Sequence, residues 1–365
     1  MHTRLRLLPL VLALLLMAAS SGCSSETRRQ RTSHDPPGTL RVVGNQLVDA
    51  QGHAIRLIGV NRSGGEYACV APPDQKLGLF AGPTGNRAIA AMTSWGINAV
   101  RIPLNEHCWL GIQGAPAQYT SAHYREAVAA YVARLQNAGL YVVLDLHWNA
   151  PGTTRATEQQ PMADLDYAPA FWSSVARTFK ADRGVLFDLY NEPYDIDWPC
   201  WLHGCMLPEG WRAAGMQALV NAVRSTGAAQ PIIATGPSWG SDLSSWLKYR
   251  PHDPLGQLAA GVHVFDFAGC SQPDCWSTNF EPIARAVPVV ATELGQRACS
   301  DAFIDRFMSW ADSSRVSYLG WSWNPAGCTA PSLIDSWDGH PTASGARFRA
   351  HVVQAHAAAR RFGAG

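Results

Sequence analysis

The chain has 365 residues, a formal net charge of +1 and 16% charged residues. That balance lacks the basic excess of a nucleic-acid binder, and a hydrophobic share of 47% is too high for a disordered chain. The length is ample for one large core.

The first segment reads as a targeting signal over 1–23. Arg4 and Arg6 precede a short apolar run from Leu7 to Ala19, and small residues follow. The run is too short for a comfortable bilayer span. Ser21-Gly22-Cys23 resembles the end of a bacterial lipobox, which would place a lipid on Cys23 and anchor the chain to a membrane. Ser20 stands where a lipobox carries a branched apolar residue, so ordinary secretion stays open beside it. Residues 24–38 are polar, with Arg28, Arg29, Arg31 and Pro36-Pro37, and read as a linker. The folded part is expected over 39–365.

The 9 cysteines support export. Setting Cys23 aside leaves an even number, which in an oxidising compartment reads as disulfides. Sequence proximity pairs Cys200 with Cys205, Cys270 with Cys275, Cys69 with Cys108 and Cys299 with Cys328. The rival is a zinc site built from the two C-x4-C pairs.

Around Gly44-Asn45, the runs Leu40–Val43 and Gln46–Asp49 alternate as a β-hairpin. Short β-branched runs then alternate with longer amphipathic ones. Strands are expected at Arg56–Val60, Ala99–Pro103, Leu140–Leu146, Val185–Tyr190, Ile232–Thr235, Val262–Phe265, Val289–Glu293 and Tyr318–Trp323. The clearest helix is Ser121–Ala138, with Ser121 as N-cap and Gly139 as stop. Weaker helical runs are Asp166–Phe179, Pro208–Ser225, Ser300–Ser313 and Gly345–Arg361. Eight such alternations argue for an α/β fold with a parallel sheet closed into a (β/α)8 barrel behind a short N-terminal hairpin. Periodicity alone leaves a doubly wound open sheet as the alternative.

Polar residues recur where these strands end. Arg101 follows Val100, His147-Trp148 follows Leu146, and Asn191-Glu192 follows Tyr190. His263 lies in the sixth strand, Glu293 closes the seventh, and Trp321 and Trp323 close the eighth. In a parallel barrel these ends converge on one face. Cleavage of a glycosidic bond needs one carboxyl group to protonate the leaving oxygen and a second on the far side of the sugar. Glu192 and Glu293 are the two strand-end glutamates. The acid needs a raised pKa, and Arg101 would keep a neighbouring nucleophile ionised. Each residue alone also has a plain structural explanation: a rim charge, a core histidine, a core tryptophan, or an Arg101 paired with Asp145 or Glu106.

Leu189-Tyr190-Asn191-Glu192-Pro193 resembles a motif of glycoside hydrolase family 5. So do Asn98–Pro103, Leu144–Trp148 and Ala291–Gly295, in the right order. The resemblance implies a TIM barrel, retention of configuration and no cofactor or metal. It implies Glu192 as acid/base and Glu293 as nucleophile. Arg101, His147, Asn191 and His263 would support them, and Trp323 would be the platform that stacks on sugar. Trp148 is a further substrate-binding candidate. One departure stands out: the family's His-x-Tyr is here His263-Val264-Phe265, so the tyrosine hydroxyl near the nucleophile is missing.

The expected activity is endo-acting β-1,4-glucanase on a polysaccharide or oligosaccharide, by a monomer. The alternatives are a mannanase, an exo-acting β-glycosidase and a non-catalytic carbohydrate-binding barrel. A metal-dependent hydrolase would want a His-x-His after the first strand, where Asn61-Arg62-Ser63 stands instead. Trp109, Trp148, Trp198, Trp201, Trp239 and Trp276 fall in expected loops on the catalytic side. They would line an extended cleft, with the two short disulfide loops stiffening it.

Overall fold

Strand alternation sets the architecture. In the computed structural model, which describes residues 37–362 apart from 73, 76, 115–118, 120, 300 and 301, and side chains through 355, eight parallel strands close into a barrel. They are β4 (Ile58–Asn61), β5 (Ala99–Asn105), β6 (Tyr141–Trp148), β7 (Val185–Asp188), β8 (Ile232–Thr235), β9 (Leu258–Phe265), β10 (Val289–Gly295) and β11 (Ser317–Gly320), and β11 pairs with β4. The expected targeting segment, Cys23 and all of the linker before Pro37 lie outside the described residues.

Every second residue of a strand faces the barrel axis. Leu57, Ala99, Tyr141, Val143, Leu186, Ile233, Ala259, Val290 and Leu319 form one buried cluster there. The expected hairpin, β1 (Arg41–Val43) with β2 (Gln46–Val48), gains a third strand, β3 (Ala54–Ile55). It adds Leu40 and Leu47 to that same cluster, so it closes the N-terminal mouth. The C-terminal mouth is left for chemistry.

A second cluster lies between barrel and helices, and much of it is aromatic. Trp95, Trp109, Trp172, Trp201, Trp246, Trp276 and Trp323 are all fully buried. The expected helices form at Ala122–Asn137, Ala168–Phe179, Met216–Arg224, Phe303–Ser313 and Ala343–Phe362. Two details differ. Ser121 precedes its helix without a side-chain cap; its oxygens instead accept from the Arg125 guanidinium. The run expected from Pro208 turns helical only at Met216. Gly215 takes φ +74° there, and a Cβ on it would meet the Gly204 nitrogen at 2.2 Å. Residues before it form small antiparallel bridges instead. Helices Asn86–Thr93 and Trp198–His203 were not anticipated.

All four disulfides pair as proximity suggests: Cys69–Cys108, Cys200–Cys205, Cys270–Cys275 and Cys299–Cys328. The two C-x4-C pairs are therefore oxidised and hold no zinc.

Candidate active site

The inward alternation that fills the barrel with aliphatics turns polar one layer higher. Ala99 gives way to Arg101, Val143 to Asp145, Leu186 to Asp188 and Ile233 to Thr235. Arg101 is the hub of that layer. Its Nε donates to Asp188 at 2.9 Å, Nη1 to Asn61 at 3.0 Å and Glu293 at 2.8 Å, and Nη2 to Asn191 at 2.9 Å. Nη2 also lies 3.0 Å from an Asp145 oxygen. Burial opposes its charge, but Asp145, Asp188 and Glu293 outweigh that and raise its pKa. Of the two expected partners, Asp145 is real and Glu106 is not.

Above the hub stand Glu192 and Glu293. The register of β10 against β9 shifts between Ala291 and Glu293, which sets Glu293 opposite His263. A shift of this kind can re-aim a side chain, and Glu293 lines the cavity at the mouth. His263 lies between the carboxylates, with Nδ1 2.9 Å from Glu192 and 3.5 Å from Glu293. One ligand atom from each of the three lies within 4.8 Å of the others. This is also the set among the described residues whose donor atoms could hold a metal ion. Burial depresses the His263 pKa to about 3, against the pull of Glu293. The ring is therefore neutral, and its partners assign the proton to Nδ1.

The carboxyls sit in different settings. Burial pushes Glu192 up to about 7, opposed by His147 and Arg101. Burial also raises Glu293, while His263 and Arg101 pull it back. Arg101 bonds Glu293 directly and does not bond Glu192. Only Glu293 therefore has a permanent cation in contact, which favours its carboxylate. His147 donates Nδ1–H to Asp145 at 2.7 Å and is kept neutral by burial.

Both carboxylates line a cavity of about 550 Å³ at the C-terminal mouth, with His147, Asn191, Trp239 and Trp321 among its walls. The expected platform needs correction. Trp323 is 0% exposed and packs edge-on against Trp95, ring centres 4.8 Å apart. Trp321 faces the cavity instead, its ring parallel to His147 at 5.6 Å. Trp148 is half-buried beside His147, outside the cavity wall.

The expected row of cleft tryptophans also shrinks. Trp109, Trp201 and Trp276 are core, so neither short disulfide loop presents Trp201 or Trp276 to a ligand. Trp198 packs against Trp201. Trp239 remains, 48% exposed and stacked on Tyr194 at 4.0 Å. Phe265 does occupy the cavity wall, against Gly295, and offers Glu293 no hydroxyl.

Asn61, Asp188 and Gln159 are functional neighbours that the sequence reading missed. Gln159 accepts from Asn191 Nδ2 at 3.0 Å and so fixes the amide next to Glu192. Asp188 lies two positions after the inward Leu186, and that period-2 spacing was the available signal.

The cellulase (glycosyl hydrolase family 5) model matches residues 48–327, and the chain belongs to that family. A β-mannanase/endoglucanase A of Caldicellulosiruptor saccharolyticus is 21% identical over 280 residues, 73% of this chain and 19% of that protein. A manganese dependent endoglucanase of Phanerodontia chrysosporium is 27% identical over 247 residues, 64% of this chain and 59% of its own length. The chain thus spans less than two thirds of either relative. A β-glucanase of Saccharophagus degradans, solved with cellotetraose, shares the fold with a TM-score of 0.66 at 18% identity, covering 88% of this chain and 95% of that one.

Proposed function

We propose that this protein is an endo-acting β-1,4-glucanase that cleaves with retention, using Glu192 as acid/base and Glu293 as nucleophile. The carrying observation is the close approach of the two carboxyls, within 4.8 Å of each other at their nearest ligand atoms. Retaining enzymes place these groups about 5 Å apart, whereas inverting ones need roughly 6.5–9.5 Å to admit a water.

The steps follow from the geometry. Glu293, paired with Arg101, attacks the anomeric carbon as the bond to the leaving oxygen breaks. Glu192, neutral over much of the acidic range because its pKa is near 7, gives its proton to that oxygen. A covalent glycosyl-enzyme results. Glu192, now a carboxylate, takes a proton from water, and the water oxygen displaces Glu293 from the sugar. His263 holds Glu192 in place through both states, and Trp321 gives the reacting sugar an apolar face. The exposed Trp239 on the cavity flank supports a chain that continues past the cleaved bond, hence endo action. The mannanase in a relative's name keeps mannan on the substrate panel.

The disulfides support an oxidising compartment. On this reading 1–23 directs export, 24–38 is a linker and 39–365 acts as a monomeric catalytic domain. A lipid on Cys23 is the variant of export that a mass measurement of the mature N-terminus decides.

Azide tests the roles. Glu293→Ala abolishes turnover of an activated aryl β-glycoside, and added azide restores cleavage with a glycosyl azide of inverted configuration. Glu192→Ala with azide gives the retained product. The same anomer from both variants would overturn the assignment.

A further inference from the structure

We propose that the cavity wall between β9 and β10 binds a carboxylate carried by the sugar chain, through Arg297, so that acidic β-glycans are favoured over neutral ones. This rests on the glycosidase reading above and names its substrate class more closely.

Arg297 follows β10 and forms part of the cavity wall. Its guanidinium carbon lies 4.0 Å from the centre of the Phe267 ring. Phe267 is half exposed and stacks on Phe265 at 5.0 Å. An aromatic face holds a guanidinium flat and leaves its edge donors outward. Among the described residues no carboxylate forms an ion pair with this guanidinium. Asp266, at the end of the neighbouring strand β9, is committed to the backbone. Its oxygens accept from the backbone nitrogens of Arg297 at 3.0 and 3.2 Å and of Ala298 at 3.0 Å.

Those bonds hold the backbone at Arg297 and Ala298, and Asp266 makes no ion pair with the guanidinium. Gln296 adds a second tie, accepting from the Ile304 nitrogen at 3.0 Å, and the Cys299–Cys328 disulfide adds a third. The guanidinium is thus presented from a backbone held at residues 297–298 before a ligand arrives, with its bidentate edge free of any carboxylate among the described residues.

Charge across the cavity gives the wall its meaning. Glu192 and Glu293 line the same space. Arg101 is fully buried and bonded to Asp188, Asn61, Asn191 and Glu293, so it offers an incoming group nothing. Among the residues that line this cavity, Arg297 is the one cation, so it is the group there that would attract an anionic sugar. The rest of this wall is Phe265, Phe267, Ala268 and Pro331, which give sugar hydroxyls no side-chain partner. A flat apolar surface with one fork-shaped cation fits a sugar ring that bears a carboxylate, because guanidinium and carboxylate pair through two parallel hydrogen bonds.

Carboxymethyl cellulose and hydroxyethyl cellulose provide an acidic and a neutral polymer of the same backbone. The ratio of kcat/KM on the first to that on the second is measured for the wild type and for R297Q in low-salt buffer. The ratio should fall at least fivefold in R297Q, and about 0.3 M sodium chloride should shrink the wild-type ratio by screening. An unchanged ratio in R297Q would overturn the inference while leaving the glycosidase reading intact. Affinity electrophoresis through gels containing either polymer makes the test independent of turnover. Retardation specific to the carboxymethyl gel should be lost in R297Q, and equal retardation of both proteins would overturn the inference. If neither polymer is cleaved, the β-1,4-glucanase reading fails and the gels still decide the anion site.

Discussion

Trp321 and Trp323 stand two positions apart just after β11, yet their surroundings divide them. The Trp321 backbone nitrogen bonds the Leu294 carbonyl, and its ring lies along His147 at the cavity. The Trp323 nitrogen bonds the Asn61 carbonyl, and its ring is sealed against Trp95. Strand alternation would give the two one direction, but the strand ends at Gly320 and the rule ends with it. The residue types were therefore readable and their directions were not. Trp323→Ala should lower unfolding stability by about 3–5 kcal/mol, the usual range for emptying a large aromatic site. Trp321→Ala should change stability little and lower kcat/KM on soluble β-glucan by roughly thirtyfold, since covering one sugar face corresponds to about 2 kcal/mol. Urea unfolding and steady-state kinetics on the two variants check this, and the opposite pattern would return the platform to Trp323.

At the scale of elements, the segment that carries Glu192 is buttressed by a buried acid pair. Glu106 opens the short helix Glu106–Leu110, and one of its oxygens accepts from the Ala150 nitrogen at 2.7 Å. The other oxygen has no donor of its own and meets Asp164. Asp164 accepts from Asn149 Nδ2 at 2.9 Å and from the Tyr167 nitrogen at 2.6 Å. Tyr190, directly before Asn191-Glu192, places its hydroxyl 2.9 Å from Asn149 Oδ1. Burial, with Asp164 and Asp166 nearby, raises the Glu106 pKa well above the usual range. An acid so raised keeps its proton in the folded state at pH values where the unfolded chain has lost it. Its stability contribution is therefore full below about pH 4.5 and declines as pH rises, by about 1.4 kcal/mol per unit up to the folded pKa. Glu106→Gln copies the protonated form without titrating. Urea midpoints measured from pH 5 to pH 9 should fall less steeply in the variant than in the wild type. Parallel curves would mean that Glu106 is ionised in the fold. None of this pair was visible in the sequence, because Glu106 opens a helix that was not expected, Asp164 lies far along the chain, and neither sits at a strand end in the expected pattern.

Across the whole molecule, the barrel and the core of its site were readable for one cause. The barrel repeats a single unit eight times, so hydrophobic alternation states its architecture over and over. Glu192, Glu293, Arg101, His147, Asn191 and His263 come together because they lie on the barrel strands or just after them, and a parallel barrel gathers such positions at one mouth. Gln159, Arg297 and Trp239 lie in loops, whose paths depend on side-chain bonds and left-handed residues such as Ser238 and Trp239. No period announces those.

The disulfides were readable for yet another reason, chain proximity, and their ring sizes predict unequal effects. Closing a loop removes conformations from the unfolded chain, more for a longer loop. Cys69–Cys108 spans 39 positions and should contribute about 4 kcal/mol, whereas Cys200–Cys205 spans 5 and should contribute about 2 kcal/mol. Both Cys69 and Cys108 are buried against the aromatic layer, so replacing them also loosens packing there, which widens the gap. Urea unfolding of the Cys69→Ala/Cys108→Ala and Cys200→Ala/Cys205→Ala double variants should rank them in that order. Equal losses, or a larger loss at the short ring, would show that local geometry and not loop closure governs what these bonds do for the barrel.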